Sequence, residues 1–157
     1  MSDEGLLELA EEALKYMRKA SRGFVDQGDL GEPGIRKDVD WQILYDKAKK
    51  AIGILDDLHQ RMNYTLVTEL SLYSMERLAE AAVKKTFYVS ERLEHGRIFE
   101  EAAKLEIIDS ELASYLSRLF RYRSQLYYRS GIGTKELSVK LIELSKEFQK
   151  LIDSKLK

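Results

Sequence analysis

The chain has 157 residues, 44% of them hydrophobic and 34% charged, with a formal net charge of −1. That balance describes a folded globular protein and excludes a disordered one, and so small a charge supplies no global field toward nucleic acid or an anionic membrane. Cysteine is absent, which excludes disulfides, thiolate catalysis and cysteine-ligated zinc. No apolar run approaches the roughly 18 residues of a membrane span, and the opening MSDEG is unlike a signal peptide. A cytoplasmic location without membrane association is expected.

One proline, nine glycines and long helix-period patterns predict an all-α fold. The expected architecture is an up-and-down bundle of roughly four to five core helices plus an extra N-terminal helix. Leu6, Ala10, Ala13, Met17 and Ala20 recur at spacings of four and three, which predicts an accessory amphipathic helix over residues 1–22, capped by Ser2 or Asp3. Residues 23–39, rich in glycine and holding Pro33, read as a loop. Residues 40–157 read as the bundle.

Asp40 is the expected N-cap of the next helix, whose seam is Leu44, Ala48, Ala51, Leu55, Leu58 and Met62. Asn63-Tyr64-Thr65 marks a break, and a third long helix runs to about Leu93 with a broad apolar face of Leu70, Leu78, Ala81, Ala82 and Val89. His95-Gly96 closes it. A short helix spans Ile98 to Ile107, Asp109 caps the next, Gly131-Ile132-Gly133 ends that one, and Thr134 caps the last. The closing seam is Leu137, Leu141, Leu144, Phe148 and Leu151.

One position breaks the pattern. In LASYLSRLFRYRSQLYYRSG, Leu112 to Gly131, the apolar stripe Leu112, Leu116, Leu119 and Leu126 carries Arg123 where another apolar residue is due. A guanidinium is charged at any ordinary pH, and burying it unpaired costs on the order of several kcal/mol. It needs an acidic partner, a wet groove or an anionic ligand. Glu76 and Glu80, one helical turn apart, are candidates to answer it. Around it, Arg121, Ser124, Tyr127, Tyr128 and Arg129 place arginines and tyrosines together, the side chains that hold phosphates and stack on unpaired bases.

Other chemistry has little support. His59 and His95 stand on different segments in no metal-ligand pattern, and Asp56-Asp57 near His59 reads as a solvated helix face. No metal and no cofactor are expected, because nucleotide-binding glycine loops and a serine–histidine–aspartate constellation are both without a matching pattern.

The succession MERLAEAAVK, then IFEEAAKLEIIDSELASYLSRLFRYRSQLYYRSG, then a closing amphipathic helix, resembles the HepT-like branch of the HEPN superfamily from about Asp40 to Ile152. The resemblance implies a helical homodimer whose interface cleft is lined by an arginine motif. In active members that motif cuts RNA without metal, and a small nucleotidyltransferase antitoxin can be the partner. Carried over, the motif's arginine falls on Arg123, its asparagine on Ser124, its histidine on Tyr128 and its last tyrosine on Ser130. Only the arginine matches, so the motif is degenerate. A tyrosine with its ordinary pKa of about 10 is a poor base at neutral pH.

Three readings follow. The first is a catalytically degenerate HEPN-like homodimer binding RNA, a nucleotide or a partner protein at an Arg123-lined cleft. The second is an active metal-independent endoribonuclease, the toxin of a toxin–antitoxin pair, using Arg123 with Tyr127 or Tyr128. The third is a structural helical adaptor in which Arg123 bridges to Glu76 or Glu80.

Overall fold

The computed structural model describes residues 3–28, 37–86, 97–123 and 133–157, and every regular element among them is helical. They form two compact units, Met1–Arg36 and Lys37–Lys157.

The described residues of the first unit are one helix, α1, Asp3–Gly28. It outruns the expected end at Arg22 because a single glycine costs only about 1 kcal/mol inside a helix, so Gly23 is no stop signal. Of the expected loop 23–39, residues 23–28 are therefore helical and 29–36 lie outside the described residues. Leu6, Leu7, Leu9, Leu14 and Met17 on α1 are all exposed.

The second unit is the bundle. Its first helix, α2, spans Lys37–Gly53, three residues ahead of the expected cap at Asp40, and α3 follows at Leu55–Gln60. The seam predicted here is broken at Gly53-Ile54, though the Leu58 N–H still reaches the Ile54 carbonyl at 3.1 Å. Ala48, Ala51 and Leu55 are buried, whereas Met62, expected on the same seam, is exposed. The reason is local. Met62 adopts φ 60°, its N–H donates to the His59 carbonyl (3.0 Å), and the Asn63 N–H donates to Leu58 (2.9 Å). This paired turn closes the helix and rotates Met62 off the apolar face.

Helix α4, Tyr64–Thr86, is the centre of the bundle. Val67, Leu72, Met75, Leu78, Ala79, Ala82 and Val83 are buried on several of its sides, which marks a helix enclosed by others. Small buried residues permit the close approach: Ser71, Ser74, Ala79 and Ala81 on α4, and Ser138 and Ser145 on α7, Lys135–Leu156. Ser74 satisfies its hydroxyl by donating to the Leu70 carbonyl at 2.6 Å. Helix α5, Arg97–Lys104, closes like α3, with Glu106 at φ 60° and the Ile107 N–H donating to Ala102 at 2.9 Å.

Helix α6, Ser110–Arg121, starts where expected: the Asp109 side chain accepts from the Glu111 N–H at 3.2 Å. Thr134 caps α7 in the same way through the Leu137 N–H, also at 3.2 Å. Phe99 on α5 joins the three last helices, edge-on to Phe120 at 5.1 Å and to Phe148 at 6.3 Å. Val89, His95, Gly96, Gly131 and Ile132 lie outside the described residues.

Candidate functional site

Arg123 is half-buried, but the stripe that singled it out does not continue to it. Helix α6 buries Ala113, Leu116 and Phe120 against the bundle and ends at Arg121. Tyr122 is its C-cap, at φ −81° and ψ −7°, with its N–H on the Leu119 carbonyl at 3.2 Å. The unbroken helix expected from Leu112 to Gly131 is thus interrupted just before Arg123. Ser124, Leu126, Tyr127, Tyr128, Arg129 and Ser130 lie outside the described residues.

The opposite face of α6 is more informative. Tyr115, Arg118 and Tyr122 recur at three and four residues and so form one ridge. Tyr115 and Tyr122 are 55% and 56% exposed, too much for rings serving a core. The Arg118 guanidinium lies over the Tyr115 ring, 5.1 Å from its centroid. Arg121 is exposed between them. From Leu112 through Lys135 the chain holds four arginines and one lysine and no acidic residue, so this cationic face meets no local carboxylate after Glu111. Periodicity did not single out Tyr115 and Arg118, because an outward-facing position looks the same whether or not it binds anything.

Glu76 and Glu80, the candidate partners of Arg123, both contact Arg77 on their own helix. Its Nη2 meets Glu76 Oε1, and its Nη1 lies 3.0 Å from Glu80 Oε2. The side chains of Arg77 and Glu76 are only 13% and 5% exposed. The guanidinium also stacks over Tyr73 at 5.3 Å. The contact with the adjacent Glu76 has no helical spacing, whereas Arg77–Glu80 is an ordinary i,i+3 pair that sequence reading passed over.

A third cluster lies at the start of α2. Trp41, Gln42, Tyr45, Asp46, Asp153 and Leu156 line an open cleft of about 510 Å³. The Tyr45 hydroxyl donates to Asp153 Oδ1 at 2.5 Å, and Lys85 Nζ sits 4.8 Å from the Trp41 ring centroid. The bond to Asp153, then burial, raise the Tyr45 phenol above its ordinary value of 10.0. The folded state therefore holds this proton more tightly than the unfolded chain. Its stabilisation is complete below pH 10 and is lost as pH rises through the raised value. Tyr45→Phe should be less stable by about 1 kcal/mol at pH 8, and the gap should narrow as the pH rises above 10 and through the raised value. Thermal unfolding of both proteins across that range measures it; a constant gap would refute the assignment.

His59 shares a 2.8 Å hydrogen bond between its Nδ1 and the Ser138 hydroxyl and packs beside Tyr64. Asp56 and Asp57 are exposed and bridge to Lys146 (2.6 Å) and Arg61 (3.1 Å).

The model of the family named Domain of unknown function (DUF8154) matches residues 9–156. The chain belongs to that family. No curated protein and no solved structure matches it. The family match spans α1 from Leu9 onward as well as the whole bundle, so the N-terminal helix is part of what the family shares. Among the described residues no helix is long and apolar enough to cross a membrane.

Proposed function

We propose that the protein is a catalytically degenerate, HEPN-like homodimer that binds single-stranded RNA along α6 and the arginine–tyrosine segment that follows it. The observation that carries this reading is the exposed ridge of Tyr115, Arg118 and Tyr122 beside Arg121, with Arg118 already stacked on a ring. Rings of this kind accept unstacked bases and guanidiniums accept phosphates, a combination suited to single strands rather than to a duplex. Arg123, half-buried at the end of the ridge, would hold a phosphate at the cleft's edge.

Cleavage is not part of the proposal. Neither histidine of the chain stands at the motif position, which is Tyr128. Without a group that titrates near neutrality, a 2′-hydroxyl has no efficient proton acceptor.

The test is fluorescence anisotropy with labelled single-stranded RNA, in EDTA and at several salt concentrations. Tyr122→Ala should weaken binding by roughly tenfold, the worth of about one stacked base. Arg118→Ala should also lower the salt slope by about 0.7, one phosphate contact. Binding indifferent to both substitutions refutes the α6 ridge. RNA fragments that vanish in Arg123→Ala would replace this reading with the ribonuclease one.

A further inference from the structure

The exposed ridge of α6 does not begin at Tyr115. Glu111 stands four residues before that ring, so Glu111, Tyr115, Arg118 and Tyr122 fall on one line at steps of four, three and four. All four are exposed. No acidic residue follows Glu111 until Glu136, so the ridge is acidic at its first turn and cationic beyond it.

The start of the helix does not call for an acid at this one place. Asp109 already serves the first turn, its side chain accepting from the Glu111 N–H at 3.2 Å, and the helix dipole favours a carboxylate anywhere in that turn. Of residues 110–112, only Glu111 lies in line with Tyr115. Side chains on a helix lean toward its N-terminus. Arg118 does so onto Tyr115, 5.1 Å from the ring centroid, and Tyr115 stands in the same relation to Glu111, about 5–6 Å away between Cβ atoms.

We propose that Glu111 makes the ridge select guanine for the base stacked on Tyr115; the proposal rests on the single-stranded RNA reading of α6. A carboxylate only accepts hydrogen bonds. Guanine alone among the four bases presents two neighbouring donors, N1–H and the N2 amino group, on its Watson–Crick edge, and these match two carboxylate oxygens as a charge-assisted bidentate pair. Adenine and cytosine offer one donor beside an acceptor. Uracil sets its single donor between two carbonyls, which a carboxylate repels. The arginines supply no such choice, because a phosphate is the same whichever base it carries. The spacing of the rings keeps that edge open. Tyr115 and Tyr122 are seven residues apart, about 10.5 Å along the axis, against about 3.4 Å per nucleotide in a stacked strand. A strand that reaches both rings is extended between them.

The test is fluorescence anisotropy of the full-length protein with labelled oligouridine strands carrying one central guanine, adenine, cytosine or hypoxanthine base, in EDTA at fixed salt. The guanine strand should bind roughly tenfold tighter than the all-uridine one, the lower part of the range for a bidentate pair because the site is exposed. Hypoxanthine lacks the N2 amino group and should lose most of that gain. Glu111→Gln should weaken binding of the guanine strand and tighten binding of the uridine strand, since the charge facing the uracil carbonyls is gone. A carboxylate that merely steadied α6 would, on removal, weaken both. Equal affinity of the unaltered protein for every strand, or a guanine preference that Glu111→Gln leaves intact, overturns the role of Glu111 while the ridge remains an RNA surface. A protein that binds none of the strands overturns the RNA reading, and the guanine preference with it.

Discussion

Arg77→Ala is expected to destabilise the bundle by about 3–5 kcal/mol, the usual consequence of removing one member of a buried ion pair. The size follows from where the guanidinium sits. It contacts both Glu76 and Glu80 on the central helix, it lies over Tyr73, and its own side chain is 13% exposed. Alanine withdraws that charge from both carboxylates and opens a void beside Tyr73. Arg77→Lys separates charge from geometry. It keeps a cation but not the fork that reaches two carboxylates through separate nitrogens, so it should lose about 1.5–3 kcal/mol, one hydrogen bond between charged groups. Urea unfolding at constant m-value measures both. Equal losses for lysine and alanine would mean that geometry carries the cluster; a loss below about 1 kcal/mol for alanine would place it with solvent-screened surface pairs.

The same cluster shows how far the sequence could be read. An apolar stripe reports which side of a helix is buried, so the seam of α7 and the caps Asp109 and Thr134 were legible and are found in place, while of the α2 seam Ala48, Ala51 and Leu55 are buried and Met62 is not. A stripe says nothing about where a helix pauses. The turns at Met62 and Glu106 use the left-handed region with residues other than glycine; Asn63-Tyr64-Thr65 marked the first as a break, but nothing in the composition gave its left-handed geometry. The break at Tyr122 is of the same kind, and it alters the argument for Arg123: past a C-cap, helical spacing from Leu119 no longer predicts the direction of a side chain. Glu76 and Glu80 were visible as candidate acidic partners for Arg123, because they stand one helical turn apart. Their contact with Arg77 was half legible: Arg77–Glu80 is an i,i+3 pair, whereas the adjacent Glu76 and Arg77 are the last that periodicity would join.

Gly133 is legible only in three dimensions. The sequence suggests a helix stop, since glycine commonly follows a helix. The structure places its backbone against the first turn of α4, so close that an added Cβ would lie 2.3 Å from both the Cα and the N of Thr65 and 2.5 Å from its Oγ1. Two of those three atoms are backbone and cannot rotate away. Gly133→Ala must therefore part the start of α7 from the start of α4. Ser138 stands one turn into α7, so the 2.8 Å bond that joins it to His59 should be strained along with the Thr134 cap. We expect a loss of about 3 kcal/mol, the upper end for overpacking, because the obstruction is main chain. Gly53→Ala is the matched control: a Cβ there meets nothing within 4 Å, and the change should be neutral or stabilising by up to about 1 kcal/mol. Urea midpoints that put the two alanine variants within about 0.5 kcal/mol of each other would show that α7 has room to move and that the approach to Thr65 constrains nothing.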